Sequence, residues 1–148
     1  HPQEAWDFGS LQRATQGTPI VLVADVVNGA AESRYSVLRQ PGAAAGYQVT
    51  AAKTLWITRM IVSASVLNAL WLTGSGTADA GDSQVAAPAG AASEDSRADG
   101  VANALVAQAA LVVSEYDVLI SVAAARFAFV RNMTASSTLR VIAIGVEV

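Results

Sequence analysis

Cysteine is absent from this 148-residue chain, which removes disulfides and thiolate chemistry and leaves no clue to redox compartment. Histidine occurs once, as His1, on a segment expected to be an arm, so metal binding through nitrogen or sulfur is excluded and no cofactor is expected. Lysine also occurs once, as Lys53, and charged residues make up 14% of the chain against a usual share of about 25%. No basic run and no cluster of aromatics among cations is present, so nucleic acid is not an expected partner. The longest apolar run, Met60 to Leu72, is broken by Ser63, Ser65 and Asn68, and falls short of the roughly 20 residues that cross a bilayer. No charged segment followed by an apolar one opens the chain, so neither a signal peptide nor a membrane partner is expected. Heptads and tandem repeats are missing too.

What remains is apolar. Hydrophobic residues make up 53% of a chain whose length suits one domain, and the net charge is −3. So few charges cover a free monomer poorly, and apolar surface left uncovered usually ends in an interface. All cations but Lys53 and the N-terminal region's His1 are arginine, which suits interfaces because its planar fork pairs with carboxylates and stacks on apolar surface. The composition predicts an oligomer or a subunit of a larger assembly.

Residues 1–18 read as an irregular arm in which Trp6 and Phe8 dock on a body, either this subunit's own core or a neighbour. The β-sandwich domain is expected over 19–148. Pro19 to Val27 is a β-branched run entered by proline and closed by Asn28-Gly29, which predicts a strand. Arg34 to Arg39 alternates, Gln40-Pro41-Gly42 turns, and Tyr47 to Thr50 reads as a short strand before the turn Ala51-Ala52-Lys53.

Thr54 to Val66 predicts the longest strand. Leu55, Ile57 and Ile61 fall on one parity, and Trp56, Met60, Val62 and Val66 on the other, so both faces are expected to be covered. Leu67 to Leu72 is expected to be its partner strand, joined by a bend near Asn68. Thr73 to Gly100, rich in Gly, Ser, Ala and Asp, reads as one long loop. Val101 to Ser114 admits a helix by spacing and a strand by alternation; strand is favoured by its β surroundings. Val118 to Val122, Phe127 to Arg131 and Leu139 to Val148 complete about eight strands, with turns at Ala123 to Arg126 and Asn132 to Ser137. The expected fold is all-β, an antiparallel β-sandwich of jelly-roll type with an irregular N-terminal arm and a long Gly/Ala/Asp-rich loop.

Catalytic patterns are thin. There is no Gly-x-Ser-x-Gly elbow, and Gly74-Ser75-Gly76 reads as a flexible turn. Lys53 in its turn reads as a surface or interface cation rather than a Schiff-base lysine. Asp79 with Asp82, Glu94 with Asp95 and Asp99, and Glu115 with Asp117 are close in sequence, as glycoside chemistry would need, and Asp79 with Asp82 could ligate Ca²⁺, yet their loop and strand-end positions suit solvated acids. Asn132-Met133-Thr134 matches an N-glycosylation sequon and is read as an ordinary turn. Trp56 and Trp71 lie in apolar company and are assigned to core or interface; exposed, either would stack on a sugar. The chain is not expected to be an enzyme.

Two elements carry a family resemblance. Tyr47-Gln48-Val49-Thr50-Ala51-Ala52-Lys53-Thr54-Leu55-Trp56-Ile57-Thr58 resembles the strand-turn-strand of phage-encoded β-sandwich proteins, Y-x-V-P-A-G-K-T-L-x-I-T, and Tyr116 to Asn132 is similar to a second copy. The closing Ile144-Gly145-Val146-Glu147 resembles the ends of such chains. Thr50 and Ala52 stand where the resembling turn carries Pro and Gly, and Ala123 to Ala125 fill the second turn, so both must reach their geometry with alanine. The resemblance covers about half the chain. It implies a capsid decoration (cement) protein of tailed-phage heads, a homotrimer on the virion exterior that ties neighbouring subunits of the major capsid protein together. Under it, Trp6, Phe8, Asp79 and Asp82 are the coat-contact candidates. Leu55, Ile57, Arg59, Ile61, Ile142 and Ile144 are the oligomer-interface candidates. The other reading is a carbohydrate- or receptor-binding module of a tail fibre, with Trp56 or Trp71 beside Asp79 or Asp82.

Overall fold

The computed structural model describes residues 17–67, 69–79, 102–105 and 113–148. Within them the chain forms eight strands and no helix: β1 (Thr18–Val27), β2 (Arg34–Val37), β3 (Leu55–Ala64), β4 (Ala69–Gly76), β5 (Ala102–Leu105), β6 (Val113–Val122), β7 (Phe127–Asn132) and β8 (Thr138–Glu147). They make two four-stranded antiparallel layers, ordered β1-β8-β3-β6 and β2-β7-β4-β5. The expected all-β antiparallel sandwich is what the chain forms, and residues 102–105 take the favoured strand alternative. Trp6, Phe8 and Asp82 lie outside the described residues.

The long strands β1 and β8 both follow from local chemistry. Alternating β-branched residues put Ile20, Leu22, Ala24 and Val26 of β1 inward, and Leu139, Val141 and Ala143 of β8 inward beside them. The opposite layer contributes Ala69, Trp71, Ala128 and Val130, with Leu38 and Val49 from the segments around it. Each fully buried large side chain is worth roughly 1.5–3 kcal/mol, so this shared interior is the main source of stability. Trp71, fully buried, packs edge-on to Tyr116 at 5.7 Å between centroids. Its indole N–H finds no acceptor among the described residues, a cost of about 1–3 kcal/mol that the burial of so large a ring offsets.

The long strand β3 is not covered on both faces as its sequence suggested. Its pairing with β8 runs Ile57↔Gly145 and then Arg59↔Ile144, so Thr58 is an extra residue. This bulge reverses the parity: Leu55 and Ile57 point inward before it, Met60, Val62 and Ala64 after it, while Thr58 and Arg59 both face out. The Thr58 hydroxyl donates to the Ile144 carbonyl at 3.3 Å, filling part of the interrupted ladder. Gly145 sits where the backbones crowd; a Cβ there would collide with the Trp56 carbonyl oxygen.

Double coverage belongs to the other layer. On the face of β2, β7 and β4 turned away from the sandwich interior, Tyr35, Val37, Leu72, Phe127 and Phe129 form a second buried apolar cluster. Tyr35 meets Phe129 edge-on at 5.3 Å, and the Arg131 guanidinium lies 4.9 Å above the Tyr35 ring. Two further expectations need correction. The segment after Ala64 crosses to the opposite layer, so β4 pairs with β7 and β5 rather than with β3. β4 also continues through Gly74-Ser75-Gly76, which are strand residues and not a turn: Gly74 opposes Phe129 and Gly76 opposes Phe127, small against large. Tyr47 to Thr50 forms no strand but the bridge Gln48↔Phe127, with the Tyr47 amide donating to the Leu38 carbonyl, the Val49 amide to the Arg126 carbonyl, and the Val49 carbonyl accepting from the Ala125 amide.

The two similar turns do reach their geometry with alanine. Ala52 and Ala125 both have φ of 63° in the left-handed region, and the turns meet where the Ala125 amide donates to the Val49 carbonyl at 2.9 Å. That conformation costs an L-residue about 1–2 kcal/mol, while glycine costs about 0.5–1 kcal/mol in chain entropy. Ala52→Gly and Ala125→Gly are therefore each expected to stabilise the fold by about 0.5–1 kcal/mol. Chemical denaturation midpoints check this, with Ala→Gly at a residue of ordinary φ as the destabilising control.

Candidate assembly surface

One face of the sandwich is open. On the outer side of β1-β8-β3-β6, the alternation that buries one set of residues presents the other, and that other set is largely apolar. Val21 lies opposite Ile144, Val23 opposite Ile142, and Ile142 opposite Ile61 on its far side, so the centre of the sheet is β-branched from strand to strand. At one end the row is Pro19, Val146 and Trp56, and Leu119 on β6 is 74% exposed. Ile142 is 39% exposed, and Val23, Ile61 and Ile144 are half-buried by their neighbours. A depression of about 480 Å³ opens on this face between Val23, Ile61, Val113 and Ile142.

Charges frame the band. Arg140 lies 3.7 Å from Asp25 on β1, and Arg59 3.8 Å from Asp117 on β6, both pairs in solvent and worth about 0–1 kcal/mol each. Glu115 opposes Ile61 on the β6 side. The bulge at Thr58 sends Arg59 out beside Ile144; an unbroken β3 would have turned it into the core.

The interface candidates thus divide. Arg59, Ile61, Ile142 and Ile144 share this outer face, whereas Leu55 and Ile57 are core residues and leave the candidate surface. Of the coat-contact candidates, Asp79 is exposed past the end of β4, where both carboxylate oxygens accept from the Gly46 amide at 3.1 Å. That fastens the 43–47 segment close to Val37 and Phe127, on the layer opposite Trp56. Trp56 is 37% exposed on the open face and Trp71 is in the core, so neither stands beside Asp79 as a sugar platform would require.

The remaining sequence motifs resolve into structural roles. Asn132 of the sequon is fully buried; its Nδ2 donates to the Val26 and Ser137 carbonyls at 3.2 Å, and its Oδ1 accepts from the Thr134 amide at 3.1 Å. A side-chain amide so enclosed offers no nitrogen to a glycosylating enzyme. Lys53 is exposed in its turn. Ser75 accepts from the Arg126 guanidinium at 3.1 Å. No group of three or more His, Asp or Glu converges among the described residues.

Sequence reasoning missed one carboxylate. Glu147 is buried at the end of β8, accepting from the Tyr47 hydroxyl and the Thr50 hydroxyl at 2.6 Å each and from the Thr50 amide at 3.1 Å. Burial pushes its carboxyl up, but the Thr50 and Tyr47 hydrogen bonds and the nearby Lys53 charge outweigh that and hold it below the ordinary value of 4.5. Its only sequence signal was a lone acid in an apolar terminal strand. A lowered carboxyl pKa contributes stability that is present above the unfolded-state value and is lost as pH falls through the folded one. The melting temperature is therefore expected to drop as pH falls below about 4.5, and Glu147→Gln to be less stable at neutral pH with a shallower acid decline. Melting curves of both proteins across the acid range check it.

Comparison of the chain with protein-family models, curated proteins and solved structures finds no match.

Proposed function

We propose that this chain is a structural virion protein, a homotrimeric jelly-roll subunit that decorates the exterior of a capsid and ties the major capsid protein together. The observation that carries the reading is the open outer face of β1-β8-β3-β6, apolar at its centre and charged at its margins, on a molecule whose other layer buries a second apolar cluster on β2, β7 and β4. Four ten-residue strands span roughly 30 Å by 19 Å, about 600 Å², from standard rise and spacing. A stable contact takes about 800 Å² from each partner, so this face supplies most of one. Central apolar residues with a polar rim are the composition of such contacts.

The jelly-roll part of the reading is supported by the strand orders 1-8-3-6 and 2-7-4-5, in which the first and last strands pair and each layer draws on both halves of the chain. Two interleaved Greek keys give that pattern. The capsid part is supported by the Tyr47–Thr58 and Tyr116–Asn132 elements, whose turns share one left-handed alanine geometry. The occupant of the open face is a further copy of this chain. Its two ion pairs put both charge signs on the same patch, so copies set around a threefold axis can place an acid of one against an arginine of the next. The test is solution mass by light scattering across concentration, followed by co-sedimentation with cognate capsids. A mass of three 15.2 kDa chains and recovery with the particles support the proposal; a monomer at every concentration overturns it.

A further inference from the structure

The Asn28-Gly29 step that ends β1 is chemically fragile in an open chain. Glycine offers little steric hindrance, so its nitrogen attacks the preceding side-chain amide readily. The Gly29 nitrogen loses its proton and bonds to Asn28 Cγ, the bond from Cγ to Nδ2 breaks, and ammonia leaves. Water then opens the cyclic imide at either carbonyl, giving aspartate or isoaspartate.

In the fold both partners of that reaction are held. Asn28 is buried; its Nδ2 donates to the Asn132 carbonyl at 2.8 Å and the Thr134 carbonyl at 2.9 Å, and its Oδ1 accepts from the Arg34 amide at 3.2 Å. The Gly29 N–H donates to Glu32 Oε2 at 2.7 Å, away from Asn28. Glu32 is itself fixed by Arg34, whose Nε donates to the same oxygen at 2.8 Å. The Gly29 carbonyl accepts from the Ser136 amide at 2.9 Å, so the next peptide unit is held as well and Gly29 is pinned on both sides. From this geometry we infer that Asn28-Gly29 is a latent deamidation site, held shut by Glu32 and the Asn28 clamp, and that its conversion is a one-way mark on chains whose 28–34 segment has opened.

The one-way character follows from the clamp. After deamidation a carboxylate oxygen would replace Nδ2 opposite the Asn132 and Thr134 carbonyls, acceptor against acceptor in a buried place. Isoaspartate would in addition lengthen the backbone at a point where the Asn28 amide donates to Ser137 at 2.8 Å. An opened chain that converts thus loses its route back, while one that closes first is preserved. For a long-lived particle component, this makes local opening at this corner a chemical clock.

The test is peptide mass mapping of the full chain held at mildly alkaline pH, folded and in denaturant. The denatured chain should convert Asn28 at least roughly 100-fold faster than the folded one, since closing suppresses reactions of the opened state. At denaturant concentrations below global unfolding, the rate should rise in step with hydrogen exchange at the 29–34 amides. Glu32→Ala should speed conversion in the folded protein, and Asn28→Asp should lower the melting temperature. Equal rates in folded and denatured chains overturn the proposal, as does a Glu32→Ala rate equal to wild type. An Asn28→Asp protein as stable as wild type overturns the one-way step.

Discussion

Ile142→Asp is expected to turn the proposed trimer into monomers while leaving the sandwich folded. Ile142 lies at the middle of the open face, with Val23 on one side and Ile61 on the other, and its own side chain is only partly covered by the subunit. In the free subunit the new carboxylate reaches water at little cost. In the assembly it would be sealed among β-branched side chains, where an unpaired charge costs about 2–5 kcal/mol. Each contact should therefore weaken about 30-fold or more. Aspartate is chosen over lysine because a long side chain lifts its charge clear of a contact and a short one cannot. Leu70→Asp is the control: it is exposed on β4 of the opposite layer, so it carries the same change in strand propensity without touching the open face. Light scattering reads the mass and far-ultraviolet circular dichroism the fold. A trimeric Ile142→Asp protein removes this face from the assembly.

Asn132→Ala is expected to cost about 3–5 kcal/mol, enough to unfold a marginal domain. The side chain lies fully buried between the β7 end and the 133–137 turn, and it holds three separate segments: β1 through Val26, the turn through Thr134, and the entry to β8 through Ser137. Its removal leaves the Thr134 amide without its acceptor and withdraws a donor from the Val26 and Ser137 carbonyls, in a site where an unpaired buried group costs about 1–3 kcal/mol and the cavity left behind adds to it. Asn132→Leu fills the volume but restores none of the bonds, so it should be nearly as damaging. Urea midpoints separate the two explanations: a full rescue by leucine would mean that packing rather than hydrogen bonding is what this corner needs.

Both outcomes draw on features of unequal visibility in the sequence. β1 and β8 were legible almost to the residue, because proline, Asn-Gly and strict alternation punctuate them. The alternation of β8 also marked Ile142 and Ile144 as one set, though not which side of the sheet they take. The bulge in β3 was illegible. A single inserted residue leaves apolar side chains on both parities, which reads the same as a strand buried twice. β4 was hidden for a different reason: Gly74, Ser75 and Gly76 have no strand propensity of their own and are fixed by Phe129 and Phe127 across the ladder, more than 50 residues later. Glu147 looked like a terminal solvated acid because its partners, Tyr47 and Thr50, come 97 or more residues before it.

The extra residue at Thr58 has a consequence for how this strand can vary over time. Upstream and downstream halves of β3 obey opposite odd-even rules, and the extra residue between them is what sets the two out of phase. Dropping Thr58 would leave Ile57, Arg59, Met60, Ile61 and Val62 alternating in, out, in, out, in, so every later side chain would keep its face while the chain became a single link shorter. The extra link is therefore separable from the spelling on either side of it, and a descendant that lost it would keep both its core letters and its outer ones and give up only the local kink.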